Sequence, residues 1–412
     1  MSKLKSYLIG VPLILLLIVI FLASAVATYF YVIGRDIPPP DVSDFTLPEY
    51  DAVPPEENAY TYFIKAKESV VFNHTNEYDG SFSLTIDLTN STLMAELFTS
   101  NAEVFANLRH SAKCKYFIPP KPQNIAEFLK ITHDASFIYP FSLVRYKIFY
   151  ETDNGNFETS FSEIQNTLSI GRLMNDTYFS FVSSLYTHIA TISIHDLAKK
   201  PQLDEHQLKR LLELIDEMPP NDELCRNFAK AQFSFYNMAF ATIKERGIWF
   251  ACMCNDVSSK YIYRHNYLPN KSLSDLADYY RPLIQNPPTF YSDLDSKFLE
   301  HTHDVRPSTL DVYFRKNSLG KHAVRNNLGE LNTFINTHFK ANTTLAATKI
   351  IIACQLFQRA NGCKPQTLDE LVPDFLPSVP LDPYDGNPFR YTPNEGVIWS
   401  VGEKDKITFE IW

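Results

Sequence analysis

Between Tyr7 and Gly34 the chain carries no charged residue, and Val11–Leu22 is almost pure hydrocarbon. No other feature narrows the possible folds as much. The run exceeds the roughly 20 apolar residues that a bilayer-spanning helix needs, so it predicts a transmembrane helix within residues 1–34. Lys3 and Lys5 precede it, and Asp36, Asp41 and Asp44 follow. That asymmetry places a short N-terminal stub in the cytoplasm and the rest of the chain across the membrane. The predicted location is the cell inner membrane, single-pass, with membrane contact through residues 7–34 and a periplasmic or extracellular C-terminal domain.

A cleaved signal peptide is the competing reading, with Ala23-Ser-Ala25 or Ala25-Val-Ala27 as the cleavage motif. The apolar run continues past both to Ile33, beyond the roughly 7–15 residues of a signal core, which favours a retained signal-anchor. A prepilin leader is excluded by Leu15, the fifth residue after Gly10, where such proteins carry glutamate. No later segment matches the first. Thr348–Phe357 is short and is interrupted by Lys349 and Gln355.

The remainder has the means to build a core: 45% of residues are hydrophobic, with 31 Phe and 23 Tyr among them. A net charge of −9 and the lack of a basic run beyond the N-terminus argue against nucleic acid as a partner, because phosphate binding needs concentrated positive charge.

Four regions follow along the chain: the stub and anchor (1–34), a proline-rich linker (35–57), a helical exported domain (58–342) and a C-terminal region (343–412). Pro-Pro-Pro at 38–40 and Pro54-Pro55 have no hydrophobic period and predict an extended linker holding the body off the membrane. Helical spacing then dominates. Tyr178, Phe181, Val182, Leu185, Ile189 and Ile192 form one apolar stripe. Asp204 with Gln207, and Ser272 with Asp275, are spaced as helix caps. Asp153-Asn-Gly-Asn156 is read as a turn between helices, since Phe161, Ile164 and Leu168 keep a helical beat. Residues 79–90 allow a short strand or a loop. Leu328–Phe339 and Thr343–Ala360 are read as the last two helices. Prolines 373, 377, 380, 383 and 388 bar a long helix in the tail, where 389–392, 397–401 and 407–411 read as three strands. The expected fold is therefore mainly α: a transmembrane helix, an antiparallel helical-hairpin body and a small C-terminal antiparallel β meander.

Ala360–Leu376, Val379–Tyr391 and Trp399-Ser-Val-Gly402 resemble the tail of a family of uncharacterised bacterial membrane-anchored proteins, as does Pro54-Pro-Glu-Glu-Asn-Ala59 after the anchor. That tail is similar in turn to the C-terminal region of type II secretion major pseudopilins. The resemblance carries no activity over to this chain. It does imply calcium, which the pseudopilin loops bind. The positions that match are Asp382, Asp385, Ser400, Gly402 and Asp405. Calcium takes six to eight oxygens, and here Lys404, Lys406 and Ile407 stand where further acids and glycine would be expected. The preferred reading of Asp382-Pro and Asp385-Gly is a rigid turn: Asp accepts from nearby N–H groups, Pro fixes φ and Gly supplies positive φ.

Catalytic signatures are missing from the sequence: there is no G-x-S-x-G, no phosphate-binding glycine loop and no H-E-x-x-H. His301 and His303 lack a third ligand and are read as a polar loop. His188 and His195 share a helical face and are read as core histidines, and the Asp293/Asp295 and Glu56/Glu57 pairs as solvated. Cys252-Met-Cys254 lacks zinc spacing. Cys354 and Cys363 flank a helix end, where a local disulfide is one option. Asn73, Asn90, Asn175, Asn270 and Asn342 each open an N-x-Ser/Thr triplet. The functional expectation is a non-catalytic envelope scaffold or interaction protein that works through a protein partner. An accessory of a pseudopilin-like secretion system is the alternative, and an envelope hydrolase the third reading. A closed pocket with converging acids or histidines would favour the hydrolase.

Overall fold

The computed structural model describes residues 2–71, 90–132, 135–218, 221–246, 267–294 and 316–412. It is mainly helical, with one small antiparallel sheet near the C-terminus. The helices, in chain order, are α1 (Ser2–Ile33), α2 (Ala59–Glu68), α3 (Ser91–Ser100), α4 (Ala102–Ser111), α5 (Ile125–Thr132) and α6 (Ile138–Asp153). They continue with α7 (Phe157–Met174), α8 (Ser180–Ala198), α9 (Glu205–Asp216), α10 (Asn221–Arg246), α11 (Pro269–Gln285) and α12 (Ser318–Asn361). The strands are β1 (Arg390–Thr392), β2 (Val397–Ser400) and β3 (Ile407–Glu410). The chain divides into two compact units. One comprises Met1–Val42, Tyr236–Tyr279 and His301–Glu330; the other comprises Ser43–Phe235, Tyr280–Glu300 and Leu331–Trp412.

In the first unit α1 is continuous, and Leu16–Tyr29 are exposed without interruption. Among the described residues no helix is long and apolar enough to cross a membrane; the described side chains of α1 are Leu16–Tyr29, Tyr31 and Val32, half of the helix. The cap predicted for α11 is corrected. Helix α11 begins at Pro269, one turn before Ser272. Ser272 lies inside the helix and donates to the Leu268 carbonyl at 2.9 Å. The cap comes instead from Asp36, whose carboxylate accepts from the Asn270 and Lys271 N–H groups at 2.9 and 3.0 Å. Asn317 (φ 53°) pins the neighbouring segment by accepting from the Leu268 N–H at 3.0 Å.

In the second unit the core is built from successive hairpins. The Asp153–Asn156 turn joins α6 to α7, with Gly155 at φ 76°. In the pair α7/α8 Gly171 lies against Ser183, Tyr186 and Thr187; the Ser183 hydroxyl donates to the Gly171 carbonyl at 2.7 Å. This contact rotates α8 away from the predicted stripe. Phe181 is 46% exposed, while Ser183, Thr187, Thr191 and Ser193 are buried. Thr187 and Thr191 bond back to the carbonyls four residues earlier, which satisfies their hydroxyls inside a tight helix interface; the buried Ser193 hydroxyl has no hydrogen-bond partner among the described residues. The Asp204 and Gln207 capping box forms as expected at the start of α9.

The two last helices predicted from the sequence are one. Helix α12 runs 44 residues without a break; Thr343 lies within it, with its buried hydroxyl satisfied by the Phe339 carbonyl. The division proposed at 342/343 thus falls inside a helix. In this unit α12 supplies Ile352 and Leu356 to the body core and Ile350, Ile351, Ala353, Cys354 and Phe357 to a second core under the tail. His195 Nδ1 lies 2.8 Å from Thr348 Oγ1, Gln355 donates to the Ala198 carbonyl, and Arg359 donates to the Leu203 carbonyl. These pairs ascend together, so α12 runs parallel to α8 rather than closing an antiparallel hairpin with it.

Residues 43–57 also depart from a free linker. Phe45 is buried and stacks on Phe233 at 3.8 Å between centroids. Asp44 pairs with Arg281 at 2.7 Å, Leu47 is buried, and the Tyr50 hydroxyl bonds to Asp176. The segment is a strap on the body. The 79–90 region, His301, His303, Asp295, Cys252 and Cys254 lie outside the described residues, apart from Asn90, which caps α3.

Candidate functional site

The sequence points to the tail loop, and the structure brings three of its four predicted acidic or hydroxyl positions together. Residues 381–388 form a closed turn: Leu381 and Pro388 bridge, Gly386 (φ 71°) donates to the Asp382 carbonyl at 2.9 Å, and the Asn387 N–H donates to Asp385 Oδ1 at 3.0 Å. Asp382 is fully buried. Its Oδ1 accepts from the Tyr384 N–H at 3.0 Å and the Ser400 hydroxyl at 2.8 Å, and its Oδ2 from Arg390 Nη1 at 2.8 Å and the Val401 N–H at 3.1 Å. Both oxygens are occupied twice. Arg390 also grips Asp385 through both of its terminal nitrogens, and this pairing holds the Asp385 carboxyl down at about 2.

The cation between the two acids is therefore the guanidinium of Arg390. The fourth predicted position, Asp405, is exposed in the next turn and joins none of these bonds. Lys406, which the sequence sets against a dication, lies over the Trp399 ring at 4.7 Å, with Arg390 also over that ring at 5.5 Å. Among the described residues no group of three or more His, Cys, Asp or Glu is placed to hold a metal. Sequence reasoning passed over Arg390. The signal available was a basic residue at the first position of β1, where the strand begins directly beneath the loop.

The loop is docked on the body. The Tyr291 and Ser292 N–H groups donate to the Pro383 and Tyr384 carbonyls at 2.9 and 3.0 Å. Tyr291 packs against both Tyr384 and Phe339. Burial, with the charges of Glu403 and Asp382, pushes the Tyr384 hydroxyl up to about 12.

A second polar group missed in the sequence is Glu163, which lies on the buried face of α7. Its Oε1 accepts from Arg109 at 3.0 Å and from Lys147 at 2.9 Å. Lys147 also sits over the Phe105 ring at 4.4 Å. The signal here was position: Glu163 falls on the same stripe as Ser160, Ile164, Thr167 and Gly171.

The two histidines of α8 behave differently. Thr348 donates its one hydroxyl proton to the Thr344 carbonyl at 2.6 Å, so it accepts from His195, which must carry its proton on Nδ1. The ring also packs on Phe409 of β3 at 5.7 Å. Burial, reinforced by Lys199, pushes His195 down to about 4. Burial lowers His188 as well, with Arg145 and Lys340 adding to it, and its Nδ1 is buried with no hydrogen-bond partner among the described residues. Among the described residues neither histidine has a carboxylate partner that would raise it to a working general base.

Cys354 is buried and Cys363 exposed, both as free thiols, because Cys354 points into the core beneath the tail. Asn175 and Asn342 are buried, and the Asn270 amide bonds to the Ile37 carbonyl, so these three triplets present no accessible amide. No family model matches the chain, and comparison with curated proteins and with solved structures yields no match either.

Proposed function

We propose that the chain is a single-pass envelope protein. In this reading α1 crosses the inner membrane with its N-terminus in the cytoplasm, and the body on the far side serves as a non-catalytic scaffold or protein-binding module. The carrying observation is the surface of α1. Every residue from Leu16 to Tyr29 is exposed, and Leu16–Leu22 are apolar on every face of the helix, with Phe21 72% exposed. A helix that is apolar all round needs an apolar environment all round, and here no part of the described stretch is covered by protein. The 32 residues of α1 extend about 48 Å at 1.5 Å per residue, enough to cross a hydrocarbon core of about 30 Å.

The scaffold role draws on how the body holds its charges. Glu163 is neutralised by Arg109 and Lys147, and Asp382 by Arg390. Acids engaged in this way tie neighbouring elements together, α4 and α6 to α7 in one case and the tail loop to β1 in the other. A second reading, an accessory of a pseudopilin-like secretion system, is supported by the proline-rich bridge and three-stranded sheet packed on the last long helix.

The test is fractionation with protease protection. The chain should stay in the membrane through alkaline carbonate, and protease added to spheroplasts should digest the body. Survival of the body while an outer-face control protein is cut, or recovery of the chain in the soluble fraction, would overturn the reading.

A further inference from the structure

Helix α1 ends at Ile33, and only Gly34 and Arg35 separate it from Asp36. Asp36 is bound to the first turn of α11 by two hydrogen bonds, and the Asn270 side chain adds a third to the Ile37 carbonyl at 2.8 Å. The opening N–H groups of a helix have no internal partner and carry partial positive charge, so a carboxylate reaching in from the anchor closes them well. Three Cα steps limit the distance from Ile33 to Asp36 to about 11 Å. The path is shorter than that, since the Arg35 N–H folds back to the Val32 carbonyl at 3.4 Å.

Three cations stand at this junction, with Asp275 and Asp278 beside one of them, Lys271. Arg35 is exposed. Lys271 lies in the bound turn and pairs with Asp275 at 2.6 Å. Lys316 is exposed and precedes Asn317, whose side chain bonds to both Leu268 and Ser272.

We infer that the first turn of α11, with Arg35, Lys271 and Lys316 around it, lies in the headgroup layer of the membrane and faces lipid phosphates. The inference rests on α1 crossing the membrane. Tyr29 and Tyr31 are exposed near its end, as suits residues at a membrane–water interface. The headgroup zone adds roughly 5–8 Å beyond the hydrocarbon on each side. A tether of at most about 11 Å, fastened at Asp36, keeps the α11 turn next to that zone. The occupant is thus set by the anchor: the lipid through which α1 leaves the bilayer.

The experiment uses the full chain in native membranes, with the photoreactive residue benzoylphenylalanine introduced at Arg35 in one variant and at Lys316 in another. Irradiation should give a covalent phospholipid adduct at both positions. In parallel, the full chain in phosphatidylglycerol nanodiscs should melt higher than in phosphatidylcholine nanodiscs. The Arg35→Glu/Lys316→Glu variant should lose that difference while keeping its melting temperature in phosphatidylcholine. A chain that resists carbonate extraction yet gives no lipid adduct at either position would overturn the inference and leave the anchor intact. Release of the chain by carbonate would remove the anchor itself, and the inference with it.

Discussion

Arg390 donates to Asp382 at 2.8 Å across the mouth of the tail loop, and the two sit unequally in solvent: Asp382 is fully buried, while 27% of the Arg390 side chain is exposed. The arginine is the cheaper partner to solvate once separated, and the aspartate the costlier. Arg390→Ala should therefore leave a buried carboxylate without its counter-charge, which costs about 3–5 kcal/mol for such a pair. The value should lie near the lower end, because Ser400 and two backbone N–H groups remain. Arg390→Lys keeps the charge and loses the two-pronged grip on Asp385, so it should fall between. Urea denaturation of the three proteins checks the order. A loss in Arg390→Ala of under about 0.5 kcal/mol, the scale of an ordinary surface change, would mean the pair is ornamental.

The same geometry predicts the response to calcium. With the guanidinium between Asp382 and Asp385, a dication would have to displace it. Adding calcium or a chelator should leave the melting temperature of the native protein unchanged. A rise on adding calcium that disappears in Asp382→Ala would instead make the loop a cation site.

Acid should weaken the fold in two stages. His195 is held down to about 4 in the folded protein, against about 6.5 unfolded, so the folded state takes up its proton less readily. Its contribution is complete above about pH 6.5 and is lost as pH falls to about 4, at most on the order of 3 kcal/mol. Asp385, held down at about 2 by Arg390, contributes stability above roughly pH 4. That contribution is lost as pH falls through about 2. Stability measured against pH should slope downward across the first window in the native protein and become shallower there in His195→Phe, with the remaining slope carrying the contribution of His188, which burial also lowers. An unchanged slope in that variant would remove His195 as the cause.

These features differ in how far the sequence discloses them. Local devices are legible: the Asp204 and Gln207 capping box and the turns at Gly396 and Gly402 that separate the strands each depend on residues within a few positions. Long-range ones are not. The cap of α11 comes from Asp36, 234 residues away, so Ser272 and Asp275 mimic a start one turn late. Asn342-Thr343 resembles a break, yet Thr343 is absorbed by bonding within α12. On α8 the large apolar residues define one stripe, but the absence of a side chain at Gly171 draws the hydroxyl face inward instead. Arg390 and Glu163 escape notice because a charge on a strand or a helix is ordinarily a solvated one, and only burial gives it meaning.

Glu163 offers a sharper test of that last point. Glu163→Leu should leave the Lys147 ammonium, 14% exposed, without its counter-charge, at a cost of about 3 kcal/mol. Replacing both partners with apolar groups of similar size is frequently near neutral, so Glu163→Leu/Lys147→Met should recover much of the loss. A double variant as unstable as the single one would show that Arg109, or the packing of Lys147 over Phe105, carries the contribution.

Two glycines separate backbone strain from crowding. Gly155 (φ 76°) and Gly402 (φ 64°) share the left-handed conformation. A Cβ at Gly155 would meet nothing within 4 Å, whereas one at Gly402 would come within 2.1 Å of the Asp405 carbonyl oxygen. Alanine at either position meets the conformational penalty, roughly 1–2 kcal/mol. At Gly402 it also collides with backbone in the turn between β2 and β3, which cannot give way without shifting the Ser400–Ile407 register. Ser400 is the residue whose hydroxyl reaches Asp382, so the damage should spread to the tail loop. Gly402→Ala should accordingly be the more destabilised in thermal melts and should expose the N–H groups of residues 382–390 to hydrogen exchange, while Gly155→Ala leaves them protected. Equal losses in the two variants would mean that the turn relaxes around the added methyl and that β2 does not hold the loop in place.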